Sequence, residues 1–330
     1  MCAAVVGLAA GVLVAQLRYA ADDRDQTPAA DEADPLYYAG GEIHDGETVV
    51  AYRPDGSVDD LVAVDSGWVL LEKSFEDTHK LVLVRRNGDS RTLDSGLIDT
   101  FDVSTDGSRI VYPLGHSTAV AVVDVKTGGV VERLSTGKAY PGFANFAGED
   151  VIYRTGIDAR DHMMRWDPAT DAVTRVQSDK EPNAVSADGS RMLLARAGFP
   201  GRPCPGVFPT SAPERARWRE CDVRGYAGSG AFNPSGSLLL ATDPPYWRGR
   251  TLRDWRRWVA VLDSESGTEV GRIRGRLVAG AHWLGDDAVG VLVGEDRKAR
   301  GFRMLTCTVD GECTETVPDL AGDAVLGRRD

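Results

Sequence analysis

Positive charge is scarce in this chain. It carries 38 lysines and arginines against 50 aspartates and glutamates, a formal net charge of −12 with a pI near 5.0. That surplus repels nucleic acid and anionic membrane surfaces at long range, so neither is expected as the main partner, and solubility is its ordinary meaning. Histidine is scarcer still: the five residues are His44, His79, His116, His162 and His282, and none stands at metal-ligand spacing from a partner. Each is read as solvated or locally bonded, and no metal or cofactor is expected. The GxSxG elbow, HExxH, the phosphate loop and the dinucleotide fingerprint are all missing. Acids do recur in "STDG" and "SADG", but a calcium loop needs them at alternating positions ending in Glu. Turn chemistry explains them better, because Asp tolerates the left-handed conformation and Gly prefers it.

Cysteine is nearly absent, and its placement favours disulfides over zinc. Of the five cysteines, Cys2 lies apart, while Cys204, Cys221, Cys307 and Cys313 form no CxxC pair and have no histidine beside them. Cys307 and Cys313 flank the turn signal "TVDGE", and Cys204 and Cys221 close a Pro-rich loop, so two disulfides are expected, and with them an oxidising compartment. The start of the chain agrees. Residues 1–18 contain "CAAVVGLAAGVLVAQL", followed over 19–36 by an acidic, Ala/Pro-rich tether. This reads as a single membrane span, slightly short of the ~20 residues a bilayer requires. Basic residues do not precede it, which predicts that Met1 is a late start and that the span begins upstream. A cleaved signal peptide is the alternative, although Arg18 and Tyr19 make a poor cleavage site.

What the sequence has in abundance is a period. Turn glycines at 67, 107, 148, 189, 236 and 285 stand 40, 41, 41, 47 and 49 residues apart, each before an alternating, β-branched run. A second series marks a later hairpin in each unit, at Gly88, Gly128, near Asp171, at Gly267 and at Gly311. Tight hairpins demand such residues because their central positions need positive φ. Each unit is therefore strand, turn, strand, loop, strand, turn, strand, with six complete copies. Near the start, "YYAGGEIHDGETVVAY" matches the second half of a unit, and near the end "LAGDAVLG" matches the first half. Joined, the two termini make a seventh.

The motifs "SxDGSR", "VVDVKTGG", "RWDPATD" and "VLDSESG" give residues 37–330 a resemblance to β-propellers of the WD40 or TolB-like type. The Gly-His pair and regular Trp-Asp of classical WD40 repeats are missing; Arg165-Trp166-Asp167 alone comes near. The resemblance implies an all-β, seven-bladed ring closed by strands from both ends, which removes the exposed-edge problem. A β-sandwich of hairpins is the competing architecture, but a sandwich has no need of equal spacing. As a whole, the chain also resembles the single-span actinobacterial proteins that carry an extracytoplasmic propeller and are often encoded beside sigma factors. That likeness implies a surface sensor or accessory factor anchored in the cytoplasmic membrane.

In such a ring, the connection between the second and third strands of every unit emerges on one face. It is brief in "LGHST", longer in "TGIDARDH", and longer again around Cys204 and Cys221, in "TDPPYWRGRTLRDWRRW" and in "GEDRKARG". Long loops on one side of a rigid scaffold are where binding functions are built. The richest insertion contributes Tyr246, Trp247, Arg248, Arg250, Trp255 and Arg256 as candidate binding residues, since aromatics and arginine dominate interface hot spots. Packing of the tryptophans under the loop, with the arginines meshed to neighbouring acids, is an equal reading. The expected partner is a protein or cell-envelope polymer bound by a monomeric chain. Two rival readings are an enzyme, hydrolase or lyase, that collects residues around the ring axis, and a purely structural module.

Overall fold

The computed structural model describes residues 34–329 apart from 75–77, 99, 115–116, 138–140, 156–161, 177–179, 197–203, 221–223, 226–228, 243–245, 249–250, 254–255 and 295–300. The expected span at 1–18 and nearly all of the tether at 19–36 lie outside the described residues. Among those described, no helix is long and apolar enough to cross a membrane.

Nearly everything described is antiparallel β-structure, and the hairpin order matches the repeat. The sheet Ser57–Val64, Gly67–Lys73, His79–Arg85 and Ser90–Gly96 pairs each strand with the next. The same order recurs from Asp102 to Ser135, from Pro141 to Val176 and from Lys180 to Arg219. In the first three of these sheets the fourth strand is the most exposed. Val69, Leu70, Leu81 and Leu83 are fully buried, for example, whereas Ser90, Arg91 and Thr92 face solvent. That gradient is what stacked sheets produce when their inner strands meet and their outer edges fan apart.

The repeated turns explain why the motif recurs. In the first, the Ser104 hydroxyl donates to Asp106 Oδ1 at 2.6 Å and accepts the Arg109 N–H at 2.9 Å, while the Gly107 N–H donates to the Ser104 carbonyl at 2.7 Å. Ser186, Asp188, Gly189 and Arg191 repeat the arrangement at 2.6, 3.0 and 2.8 Å. Gly107 and Gly189 both have φ of 68°, a conformation that costs a residue with a Cβ roughly 1–2 kcal/mol. These turns also reach the neighbouring sheet. The Asp65 N–H donates to the Gly107 carbonyl at 3.3 Å, the Gly148 N–H to the Ala187 carbonyl at 3.2 Å, and Arg191 Nη1 to the Gly236 carbonyl at 2.9 Å. Tryptophans add further links: Trp218 Nε1 donates to the Ser264 carbonyl at 2.9 Å and Trp283 Nε1 to the Ala231 carbonyl at 3.2 Å.

Asp106 makes the turn sensitive to acid. Hydrogen bonds from the Ser104 and Ser108 hydroxyls and the Ser108 N–H hold its carboxyl down at about 2, below the ordinary 3.8. A depressed folded-state pKa means that its contribution is complete above the unfolded value and is lost as pH falls from about 3.8 towards 2. Asp106→Asn is therefore expected to flatten the acid limb of a stability-against-pH curve in that window and to leave its slope near neutrality unchanged. An acid limb that keeps its full slope would show that the turn does not contribute.

The two ends of the chain meet as the repeat requires. Val325–Leu326 pairs antiparallel with Leu36–Ala39 through Tyr37↔Leu326 and Tyr38↔Val325, and this joined sheet continues through Glu42–Asp45 to Thr48–Ala51. The hairpin at Gly46, with φ of 59°, lies where the sequence predicts it. Closure does not stop at the strand. The Gly327 N–H donates to the Leu36 carbonyl at 2.8 Å, the Arg328 N–H to the Leu61 carbonyl at 3.0 Å, and the Ala63 N–H to the Arg328 carbonyl at 2.9 Å. The last residues thus stitch the terminal sheet to the next one.

Two expectations need correction. Seven separate blades are expected, yet the strands form six large sheets and one two-stranded ribbon. The reason is Glu269–Trp283, a 15-residue strand that runs without a break from the outer edge of one repeat to the inner position of the next. It pairs with Arg256–Asp263 over its first part and with Ala288–Gly294 over its second, so two repeats share one seven-stranded sheet. The stretch from Cys204 to Cys221 is not one loop. Gly206–Pro209 and Trp218–Arg219 are paired strands within it, so only residues up to Pro205 belong to the connection between second and third strands.

Candidate functional site

The candidate binding residues fall on an insertion that builds its own sheet. Between Leu238–Thr242 and Arg256–Asp263 the chain makes a ribbon, Tyr246–Arg248 paired with Thr251–Arg253 through Tyr246↔Arg253, Trp247↔Leu252 and Arg248↔Thr251. Tyr246, Trp247 and Arg248 therefore share one ribbon strand. Arg256 starts the strand that returns to the main sheet, opposite Val278. Arg250 and Trp255 lie outside the described residues. Two residues past Arg256, Trp258 is partly buried, with the Arg272 guanidinium 4.1 Å from its ring centroid, a cation–π pair. Arg272 is also held by Glu269.

The expected hairpin disulfide is present: Cys307 and Cys313 are directly opposite in register and bonded. Cys204 is disulfide-bonded as well, while Cys221, its expected partner, lies outside the described residues. Just after Cys204, Gly206 pairs with Arg219, and the Glu220 N–H donates to the Pro205 carbonyl at 3.0 Å.

A second candidate lies where the inner strands converge. A cavity of about 60 Å³ is lined by residues of five successive repeats and the C-terminal tail, among them Val103, Phe146, Val185, Phe232, Trp283 and Arg328. Its wall is largely apolar, and it has room for little more than ordered water. Its acidic group is already engaged. Asp102 Oδ2 accepts the Phe146 N–H at 2.8 Å, and Asp102 Oδ1 stands 4.0 Å from Arg328 Nη2. Arg328 also approaches Asp60 Oδ2 at 3.6 Å and lies 5.5 Å from the Phe101 ring centroid. This cluster was not legible in the sequence, because Arg328 gains its neighbours only when the ends join. Its outer companion is Arg329, paired with Asp45. Burial pushes the Asp45 carboxyl up, but Arg329, the Trp68 indole and Arg86 outweigh it and the net shift is downward.

Two of the histidines have local partners, and His116 lies outside the described residues. His44 stacks on Tyr37 with ring centroids 4.5 Å apart and sits 3.5 Å from Glu42, and His79 is 3.6 Å from Asp59. Among the described residues no group of His, Cys, Asp and Glu could hold a metal ion.

No protein family model matches this chain, and no curated protein matches it. Solved structures do. A chain of the "Mitotic Checkpoint Complex" crystal structure aligns at a TM-score of 0.56 and 12% identity, covering 95% of this chain and 89% of that one. An uncharacterized protein, lmo1340 from Listeria monocytogenes EGD-e, aligns at 0.53 and 8% identity, covering 82% and 85%. The β-propeller domain of Myceliophteria thermophila Cps50 (Swd1) aligns at 0.52 and 11% identity, covering 79% and 87%. The fold is a β-propeller. More distant likenesses include a WD40 domain and a TolB protein. At such identities the likeness extends to the fold alone, since propellers host unrelated functions.

Within the propeller, position gives the ribbon its meaning. It interrupts the chain between the second and third strands of its blade, Leu238–Thr242 and Arg256–Asp263.

Proposed function

We propose that this chain is an extracytoplasmic binding module: a seven-bladed propeller, monomeric, held to the cytoplasmic membrane by residues 1–18, that recognises a protein or cell-envelope polymer. The blade count follows the seven glycine-marked repeats, two of which share one sheet. The observation that carries the binding reading is the ribbon Tyr246–Arg248 with Thr251–Arg253. An insertion that only sealed a blade would lengthen that blade's strands, whereas this one forms a separate sheet where the sequence concentrates arginine and aromatic residues. The bonded cysteines support an oxidising compartment.

Size argues against the rival reading, an enzyme with an axial site. A cavity of about 60 Å³ is far below the ~300 Å³ at which small-molecule sites begin, and its aspartate faces an arginine.

The test replaces Trp247 and Arg250 with alanine in the full chain. Both sit in an inserted segment, so circular dichroism and the melting temperature should not change, while capture of the partner from cell-envelope extract should fall at least tenfold. Undiminished capture by a folded variant would remove this surface from consideration.

A further inference from the structure

A second site lies at the shared strand of the two fused blades. Arg272, Arg274 and Arg276 alternate along Glu269–Trp283 and so project to one side of it. Arg272 is neutralised by Glu269 and packed on Trp258. Arg274 and Arg276 are exposed, and among the described residues no carboxylate pairs with either. Together with Arg303 they line a cleft of about 450 Å³ whose floor includes Val293 and Leu305. Arg303 is paired with Glu315 at 3.0 Å. Among the described residues, then, the cleft presents two guanidinium groups with no carboxylate partner and a third paired with Glu315, on a protein whose net charge is −12.

From this geometry we infer that the cleft binds a compact dianionic phosphate group, either free or esterified to a small polyol. Two like charges at alternate positions of one strand repel each other, and a bound dianion relieves that cost. Guanidinium groups suit tetrahedral oxyanions because their planar fork offers paired donors, whereas an ammonium acts as a point charge. A volume of about 450 Å³ admits a phosphorylated small molecule and lies inside the range of small-ligand sites. Long polyanions are disfavoured by the overall charge of the protein, which a small ligand escapes.

Closure of the fold builds the site locally. Val278 lies opposite both Arg256 and Val293, so the strand that starts at Arg256 stands beside the cleft. Gly275 keeps the strand close to its neighbour: a Cβ there would come within 3.0 Å of Val278 Cγ2 and 3.3 Å of Val293 Cγ1. The cleft uses none of the ribbon's residues, so it deepens the binding reading without depending on Trp247.

Titration calorimetry of the full chain at neutral pH and low ionic strength tests the assignment, with inorganic phosphate, glycerol 3-phosphate and succinate as probes. Both phosphates should bind saturably, one per chain, and the double variant Arg274→Gln/Arg276→Gln should weaken them at least tenfold with an unchanged melting temperature. Arg175→Gln, an exposed arginine on the outer strand Ala172–Val176, should bind as the parent does. Succinate, a dianion without tetrahedral oxygens, should bind at least tenfold more weakly. Absence of saturable phosphate binding, or equal affinity in the double variant, overturns the site, and succinate binding as tight as phosphate overturns its chemistry. Trp247→Ala/Arg250→Ala should keep phosphate affinity intact, so loss of partner capture with phosphate binding retained would concern the ribbon alone.

Discussion

Arg328→Met is expected to lower the unfolding free energy by about 3–5 kcal/mol, the range found when one member of a buried ion pair is removed. The side chains of Arg328 and Asp102 are each 5% exposed, and Asp60 is 25% exposed. Arg328 also donates through Nη2 to the Phe101 carbonyl at 3.4 Å. Methionine fills much of the same volume but leaves Asp102 buried without its cation. The Phe146 N–H still reaches Asp102, so the carboxylate keeps that hydrogen bond and the loss stays finite. Asp102→Asn combined with Arg328→Met should recover at least half of the loss, because the amide needs no countercharge. Urea unfolding of the parent and the two variants gives the answer through midpoints at constant slope. A midpoint shift equivalent to less than about 1 kcal/mol for Arg328→Met would mean that the tail is an ornament of the closure and not part of it.

A comparable loss is expected from a single methyl group. Gly189 has φ of 68°, and a Cβ there would fall 2.6 Å from the carbonyl carbon of Ala147 and 2.8 Å from its oxygen. Those atoms are backbone of the preceding blade, held by the Gly148 N–H bond to the Ala187 carbonyl, so they have no rotamer by which to retreat. Gly189→Ala therefore combines left-handed strain of roughly 1–2 kcal/mol with overpacking of roughly 1–3 kcal/mol, about 3 kcal/mol in all. Gly137 separates the two effects. Its φ is 78° and nothing lies within 4 Å of its would-be Cβ, so Gly137→Ala should cost only about 1 kcal/mol. Thermal melts of the two variants read the difference directly. Equal losses would show that the turns serve their own hairpins and do not space the blades.

Much of the architecture was open to inspection in the chain, and the successes share a cause. Gly107, Gly189 and Gly236 announce turns because only a residue without a Cβ sits easily at positive φ, and that preference needs no partner far away. Cys307 and Cys313 announce a hairpin because six residues around Asp-Gly leave their backbones facing each other. Closure by the termini was legible because half-units at each end need one another to finish a sheet.

The misses share a cause as well. Counting turns gives seven units, but whether neighbouring units stay separate sheets depends on how one strand crosses between them, and Glu269–Trp283 crosses as one strand, with register shifts on either side of Val278. Arg328 and Arg329 look like a charged tail until Asp60, Asp102 and Asp45 surround them. "RIRGR" reads as the polar side of a strand, and nothing in it says that Arg272 has a carboxylate whereas Arg274 and Arg276 have none among the described residues. Tyr246, Trp247 and Arg248 were found by composition, and their arrangement as a ribbon strand came only with the pairing.

Local backbone chemistry settled the repeat length, the hairpins, the half-units at each end and the all-β class, because a turn's φ and a strand's alternation are decided within a few residues. Long-range pairing decided which repeats fuse, which charges are buried at the seam and which arginines are left to face a cleft. Those outcomes depend on distances between residues as far apart as Asp102 and Arg328, and only the closed ring sets those distances.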